Sequence, residues 1–170
     1  MKNKDQDDII ALSDKILKKY FCENDLDYFL SMLAADVVWI GGGKHQMAEG
    51  YEDVSKAFRS GQDEMMPFRM SEEKYVAMPL GEDYYLCEAY SYMSALNVEH
   101  ISINNYQRCS FVFRRKKDGW EVVHIHNSLP YGPMQEGGTI SCRSSSKKPT
   151  ICWNIILIRQ MTRYVSSRSS

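Results

Sequence analysis

The 170-residue sequence lacks any run approaching the about 18 consecutive apolar residues of a membrane span. Its start, MKNKDQDDII, lacks the apolar stretch of a secretory leader. The five cysteines (Cys22, Cys87, Cys109, Cys142 and Cys152) include no C-x-x-C pair, and an odd number does not close a disulfide framework. These absences predict a cytoplasmic protein with reduced thiols. There is no excess of one charge either. Against 22 Asp and Glu stand 21 Lys and Arg, which gives nucleic acid or an anionic membrane no electrostatic reason to bind. No G-K-[ST] and no helix follows the glycine run at 41–43, so it reads as a strand exit or bulge rather than a phosphate loop. His124 and His126 have no third ligand at supporting spacing, so neither a metal nor a cofactor is called for.

What is present suffices for one core: 44% of the residues are hydrophobic, in a chain long enough to bury them. Ile9, Leu12, Ile16, Leu17 and Tyr20 recur at helical spacing, behind the acidic Asp7 and Asp8. Asn24 is placed to cap a second helix striped by Leu26, Phe29, Leu30 and Leu33. DVVWI (36–40) reads as a short buried strand, and a third helix is expected over about 52–65. The period then changes. EKYVAMPL, YYLCEAYSYMSAL, INNYQRCSFVFRRKK and WEVVHIHNSLP are aromatic and β-branched, and LGED (80–83) and KKDG (116–119) supply turns between them. Helices segregated from a series of antiparallel strands predict an α+β domain, with a long curled sheet wrapped as a cone around about three N-terminal helices.

From Gly132 the composition shifts. GPMQEGGTISCRSSSKKPT reads as a linker, and ICWNIILIRQMTRY is apolar with a polar end after it. The tail has six Lys and Arg against one Glu, leaving the body with fifteen basic and twenty-one acidic residues. Residues 1–131 are therefore expected to be the domain and 132–170 a basic, partly apolar appendage. CWNIILI within it is too apolar to stay exposed.

With the strands in place, three segments in order resemble the nuclear-transport-factor-2-like superfamily, which includes the SnoaL-like and ketosteroid-isomerase-like proteins. They are EGYEDVSKAF (49–58), GED (81–83) with CEAYSY (87–92), and DGW (118–120) with VVHIHNSLP (122–130). The pattern most resembles the association (hub) domain of calcium/calmodulin-dependent protein kinase II and its bacterial relatives. The resemblance implies a cone-shaped α+β fold with an internal pocket, pairing into dimers or larger assemblies through the convex sheet face. It implies no single activity. The pocket arginines of the kinase hub are replaced by Asn127 and Tyr92, and Val54 stands near the place of its helical histidine.

If Asn127 faces the pocket, alternation puts Glu121, Val123 and Ile125 with it. Trp120, Val122, His124 and His126 then point to the convex side, where Trp120 and both histidines would serve a subunit interface. The same counting puts Glu88, Tyr90 and Tyr92 inside, beside Tyr106, Arg108 and Ser110, with Trp39 lining the cavity. The expected function is a non-enzymatic binding, sensory or association domain. Its partners would be a second copy and a small apolar or carboxylate ligand. The alternative is an isomerase, cyclase or dehydratase in which Glu88 moves a proton from a carbon acid. His45, after the glycines, is expected to be a solvated loop residue.

Overall fold

A computed structural model describes residues 4–62, 67–95 and 104–128. The expected linker, the tail from Gly132 with its CWNIILI segment, Cys142 and Cys152 lie outside the described residues. Helix α1 (Lys4–Leu17) buries Ile9, Ser13, Ile16 and Leu17. It runs into a π-helical turn, Lys18–Cys22, that buries Phe21. A wider turn shifts the helical phase, so Phe21 joins the core alongside the half-buried Tyr20. The cap of α2 (Leu26–Ser31) is Asp25, not Asn24: its carboxylate accepts from the Tyr28 N–H at 3.0 Å. Asn24 instead takes a left-handed backbone, φ 54°, that turns the chain between the helices. Helix α3 (Tyr51–Arg59) ends sooner than its apolar residues suggest, closed by Ser60 and Gly61 N–H groups bonding back to Lys56 and Phe58.

Six strands form one curved, unclosed sheet in the order β2-β1-β6-β5-β4-β3. They are β1 (Leu33–Ile40), β2 (Met47–Glu49), β3 (Phe68–Pro79), β4 (Tyr84–Ala95), β5 (Asn104–Lys116) and β6 (Gly119–Ser128). All neighbours are antiparallel except β1 and β6, which run parallel. That pairing brings the first strand beside the last, which series order alone does not foretell. The three-residue β2, unpredicted from sequence, folds back on β1 through the glycine turn.

The helices pack on one face of the sheet, and the core lies between them. On that inner face β4 presents Tyr85, Cys87, Ala89, Ser91 and Met93, and β5 presents Gln107, Cys109, Phe111 and Phe113. Most of the β4 set is small, and α1 lies close enough for Ser13 to meet the Cys87 thiol. Strand β6 carries one extra residue. Phe113 pairs with Val122 and Val112 with His124, leaving Val123 bulged. Trp120 and Val122 on one side of it, and Ile125 on the other, therefore all reach the core.

Gly50 begins α3 at φ 80°, ψ 152°, a region closed to L side chains. An added Cβ would meet only the Ala35 carbonyl, at 3.8 Å, so backbone strain is the whole penalty. Gly50→Ala should therefore lower stability by about 1–3 kcal/mol in urea unfolding, with the native spectrum retained. A neutral result would mean that α3 starts differently.

Candidate functional site

Inside the cone, Trp39 donates its Nε1–H to the Asn127 Oδ1 at 3.2 Å. Asn127 pairs across the sheet with Cys109, whose thiol is pushed far up chiefly by burial. Around this amide–indole pair the aromatic rings interlock. Phe58 sits 4.9 Å from Trp39, 4.7 Å from Phe29 and 5.5 Å from Tyr20. Burial pushes the Tyr20 phenol well above its usual range. Where these rings meet Cys109, Phe111, Ile125 and Asn127, a cavity of about 10 Å³ remains. That is room for one water at most. No carboxylate and no cation lines it. Further along the inner face Ser91 pairs across the sheet with Gln107. The Gln107 Oε1 is buried with no partner among the described residues.

Trp39 and Asn127 thus lie on the inner face. Glu88, Tyr90, Tyr92 and Arg108 do not, which corrects the sequence reading: inner and outer residues of β4 and β5 are exchanged. The expectation followed size, assigning the large aromatics to the interior. The helices instead approach β4 closely and leave space for Cys87, Ala89 and Ser91. The tyrosines, amphipathic by nature, stand outside. Glu88 is exposed and accepts from the Ser110 Oγ at 2.6 Å. It is not placed to move a proton within the cone. Trp120 is likewise corrected: it is buried on the inner side, edge-on to Tyr85 at 5.4 Å, with the Arg115 guanidinium 4.2 Å from its ring centre. The Val123 bulge reverses the alternation before His124. Glu121 and Val123 therefore do not share a continuous face with Asn127.

The glycine turn is occupied by its own side chain. Gly41 N–H donates to the Gln46 carbonyl at 2.7 Å, and Gly43 N–H to the Gln46 Oε1 at 2.7 Å. A Cβ at Gly41 would run into Gln46 and come within 2.7 Å of the Trp39 ring. The Gly41 and Gly43 donors are thus spent on Gln46, and His45 is exposed beside them. Among the described residues no three His, Cys, Asp or Glu side chains gather as a metal would require.

Across the outer face run three rows of side chains: Met78–Leu86–Val112–His124–Val38, Val76–Glu88–Ser110–His126–Ile40, and Lys74–Tyr90–Arg108–Ser128. Val76 is 56% exposed, Met78 40%, Leu80 52% and Tyr84 38%, a contiguous apolar end of the sheet. At the other end Tyr106 stacks on Tyr90 at 5.0 Å and meets Tyr92 edge-on at 5.0 Å. Arg114 closes a corner, its guanidinium held by Asp36 at 2.8 and 2.9 Å and by Glu121 at 2.9 Å. His124 and His126 sit side by side in the middle. Burial holds His124 below the ordinary imidazole range, with the charge of His126 acting the same way. Sequence reasoning missed Val76, Met78, Leu86 and Val112 as surface residues. Val76 and Met78 lie on the edge strand β3, and Leu86 and Val112 on the outer sides of β4 and β5.

These two faces of one curved sheet can be set beside known proteins. The model of the SnoaL-like domain family matches residues 9–132. The chain belongs to that family. Among solved structures it resembles an NTF2-like protein of unknown function from Pseudomonas putida KT2440, with TM-score 0.66 and 16% identity over 85% of this chain and 99% of that one. A ketosteroid isomerase-like protein from Erwinia carotovora atroseptica gives TM-score 0.62 and 17% identity over 75% and 98%. A putative calcium/calmodulin dependent protein kinase II association domain from Xanthomonas campestris gives 0.61 and 13% over 74% and 88%. At such identities the likeness is one of fold. No curated protein matches the sequence. No helix among the described residues is long and apolar enough to cross a membrane.

The SnoaL-like interior is filled by rings at this point, so Phe111→Ala should cost about 3–5 kcal/mol. The space so opened should admit benzene, seen as a rise in Tm on adding it to the variant and none in the wild type. Absence of that rise would mean that the neighbouring rings collapse into the gap.

Proposed function

We propose that this SnoaL-like domain is a non-enzymatic association module that pairs with a second copy through the outer face of its sheet. The observation that carries this reading is the row of exposed Val76, Met78, Leu80 and Tyr84, continuous with Leu86, Val112, Val38 and Ile40. Apolar surface of that extent costs free energy in water, about 25 cal/mol for each Å² left uncovered. A second copy fits it because the charges bordering its apolar residues are engaged within one copy, Arg114 with Asp36 and Glu121 and Glu88 with Ser110, while the middle carries hydrogen-bonding tips. Two-fold pairing brings such a surface against itself without forcing like charges together. The fold likeness to putative kinase association domains lends support. The family match ending at residue 132 favours reading 1–131 as the domain and the remainder as an appendage. The free thiols of Cys22, Cys87 and Cys109 favour a cytoplasmic setting.

The interior supports chemistry less. The cavity at Phe58 and Asn127 has no acid, base or cation in its lining, and proton transfer needs a group within hydrogen-bond reach of the substrate. Glu88, the candidate for that task, belongs to the proposed interface instead.

Val112→Glu places a charge at the centre of the outer face, where a monomer can hydrate it and a dimer must bury it. Sedimentation of the wild type should give twice the chain mass. The variant should associate more weakly by about 2 kcal/mol or more while its circular dichroism stays native. An unaltered dimer in the variant would remove the outer face from consideration.

A further inference from the structure

We infer that the outer-face contact is acid-sensitive, with His124 and His126 together releasing the two copies as the pH falls through the imidazole range. The inference rests on the association reading above and adds a regulator to that surface.

Its basis is placement. Residues two apart on a strand share a face, so the two imidazoles stand about 7 Å apart, near the middle of the sheet. The direct neighbours of His124 are Val112 on β5 and Val38 on β1, and those of His126 are Ser110 and Ile40. None of the four can neutralise a positive charge. The charged groups facing the pair from the surrounding strands are all one position further off or already engaged. Glu88 on β4 lies beyond Ser110 and accepts its hydroxyl proton at 2.6 Å. Glu49 on β2 lies beyond Val38. Arg114 on β5, Asp36 on β1 and Glu121 on β6 hold one another at the corner. Arg108 on β5 sits one row away, beside Ser128, and adds positive charge rather than relieving it.

Neutral imidazoles suit such a place. Each ring offers one donor and one acceptor, so a histidine can bond its counterpart in the second copy while its apolar edge packs on Val112, Val38 or Ile40. Protonation removes the acceptors and puts two like charges on each copy into the contact. The free copy can hydrate those charges, but the paired one cannot. The pair therefore binds fewer protons than two separate copies do. By linkage, association is full above the ordinary imidazole value and weakens as the pH falls below it. The electrostatics of the single copy already run this way, since burial and His126 both disfavour the charged form of His124.

The test is sedimentation of the full chain at constant ionic strength between about pH 7.5 and pH 5.5, the span over which histidine changes charge. The wild-type dimer constant should weaken about tenfold or more, with circular dichroism unchanged. The double substitution His124→Gln with His126→Gln should yield a dimer whose constant moves less than about twofold over the same span. If that variant fails to pair even at the upper pH, the wild-type profile decides. A loss that sets in between about pH 5 and 7 supports the histidines, and one confined below about pH 5 assigns the loss to carboxylates and overturns the inference. A wild-type dimer indifferent to pH overturns the switch alone and leaves the outer-face reading standing. A monomer at every concentration near pH 7.5, or a dimer that Val112→Glu does not weaken, overturns both.

Discussion

One extra residue in the last strand governs what each face of this protein presents. Without the bulge at Val123, β6 would keep a strict alternation, and burying Ile125 and Asn127 would send Trp120 and Val122 into water. With it, the start of β6 buries Trp120 against Tyr85 while its end buries Ile125 beneath the aromatic cluster. The same residue sends both His124 and His126 outward. The bulge also lies where β6 meets the parallel β1, whose pairing likewise breaks between Leu33–Val122 and Val38–His124. Inner core, amide–indole pair and outer histidine pair all follow from that local choice.

A sheet covered by helices on one side only has to solve two packing problems at once. The inner side of β4 is lined mostly by small residues, Cys87, Ala89 and Ser91, which let α1 approach. The volume is made up by rings arriving from the helices and from β5. The outer side of the same strand carries Leu86, Tyr90 and Tyr92, which no described helix covers. Tyrosine is suited to such a surface, because its ring stacks on neighbours while its hydroxyl stays hydrated or bonded. The hydroxyl of Tyr106 donates to Glu72 at 3.1 Å, and Glu72 sits in a bulge with φ 55° that bends the edge strand β3. Charge and curvature at that edge discourage strand-to-strand aggregation and leave the broad face as the surface open to a partner.

Much of this was legible in the sequence. The helical stripe from Ile9 to Leu17, the four long strands and the turn at KKDG follow from periodicity and turn chemistry, and the family resemblance from three short segments in order. The sides of β4 and β5 were misread. On β4 the large residues Leu86, Tyr90 and Tyr92 stand outside and the small ones inside, so size pointed the wrong way. On β5 the alternation of Arg108 and Ser110 with Cys109 and Phe111 held the signal, and it was overridden by placing Tyr106 and Arg108 inside with the β4 aromatics. The side of Trp120 was lost for another reason, because no sequence signal marks a bulge at Val123. The capping of α2 by Asp25 shows the same limit on a smaller scale: two adjacent residues can both cap, and only the left-handed turn at Asn24 decides between them.

The residues that stand where the resemblance to a kinase hub would place pocket arginines bear on what the interior can do. Arginines in a cone would draw a carboxylate inward, whereas here Asn127 accepts from Trp39 and Tyr92 stands outside. The described cavity is lined by rings, a thiol, aliphatic side chains and one amide, a surface without formal charge. Charge has moved to the outer sheet, as the Arg114 cluster with Asp36 and Glu121, as Glu88 on Ser110, and as two imidazoles among aliphatic neighbours. An uncharged interior cannot respond to pH or salt in the physiological range, but a face holding a histidine pair can. Among the described residues, the charged groups of the sheet's outer surface, and not the lining of the described cavity, are placed to respond to such changes.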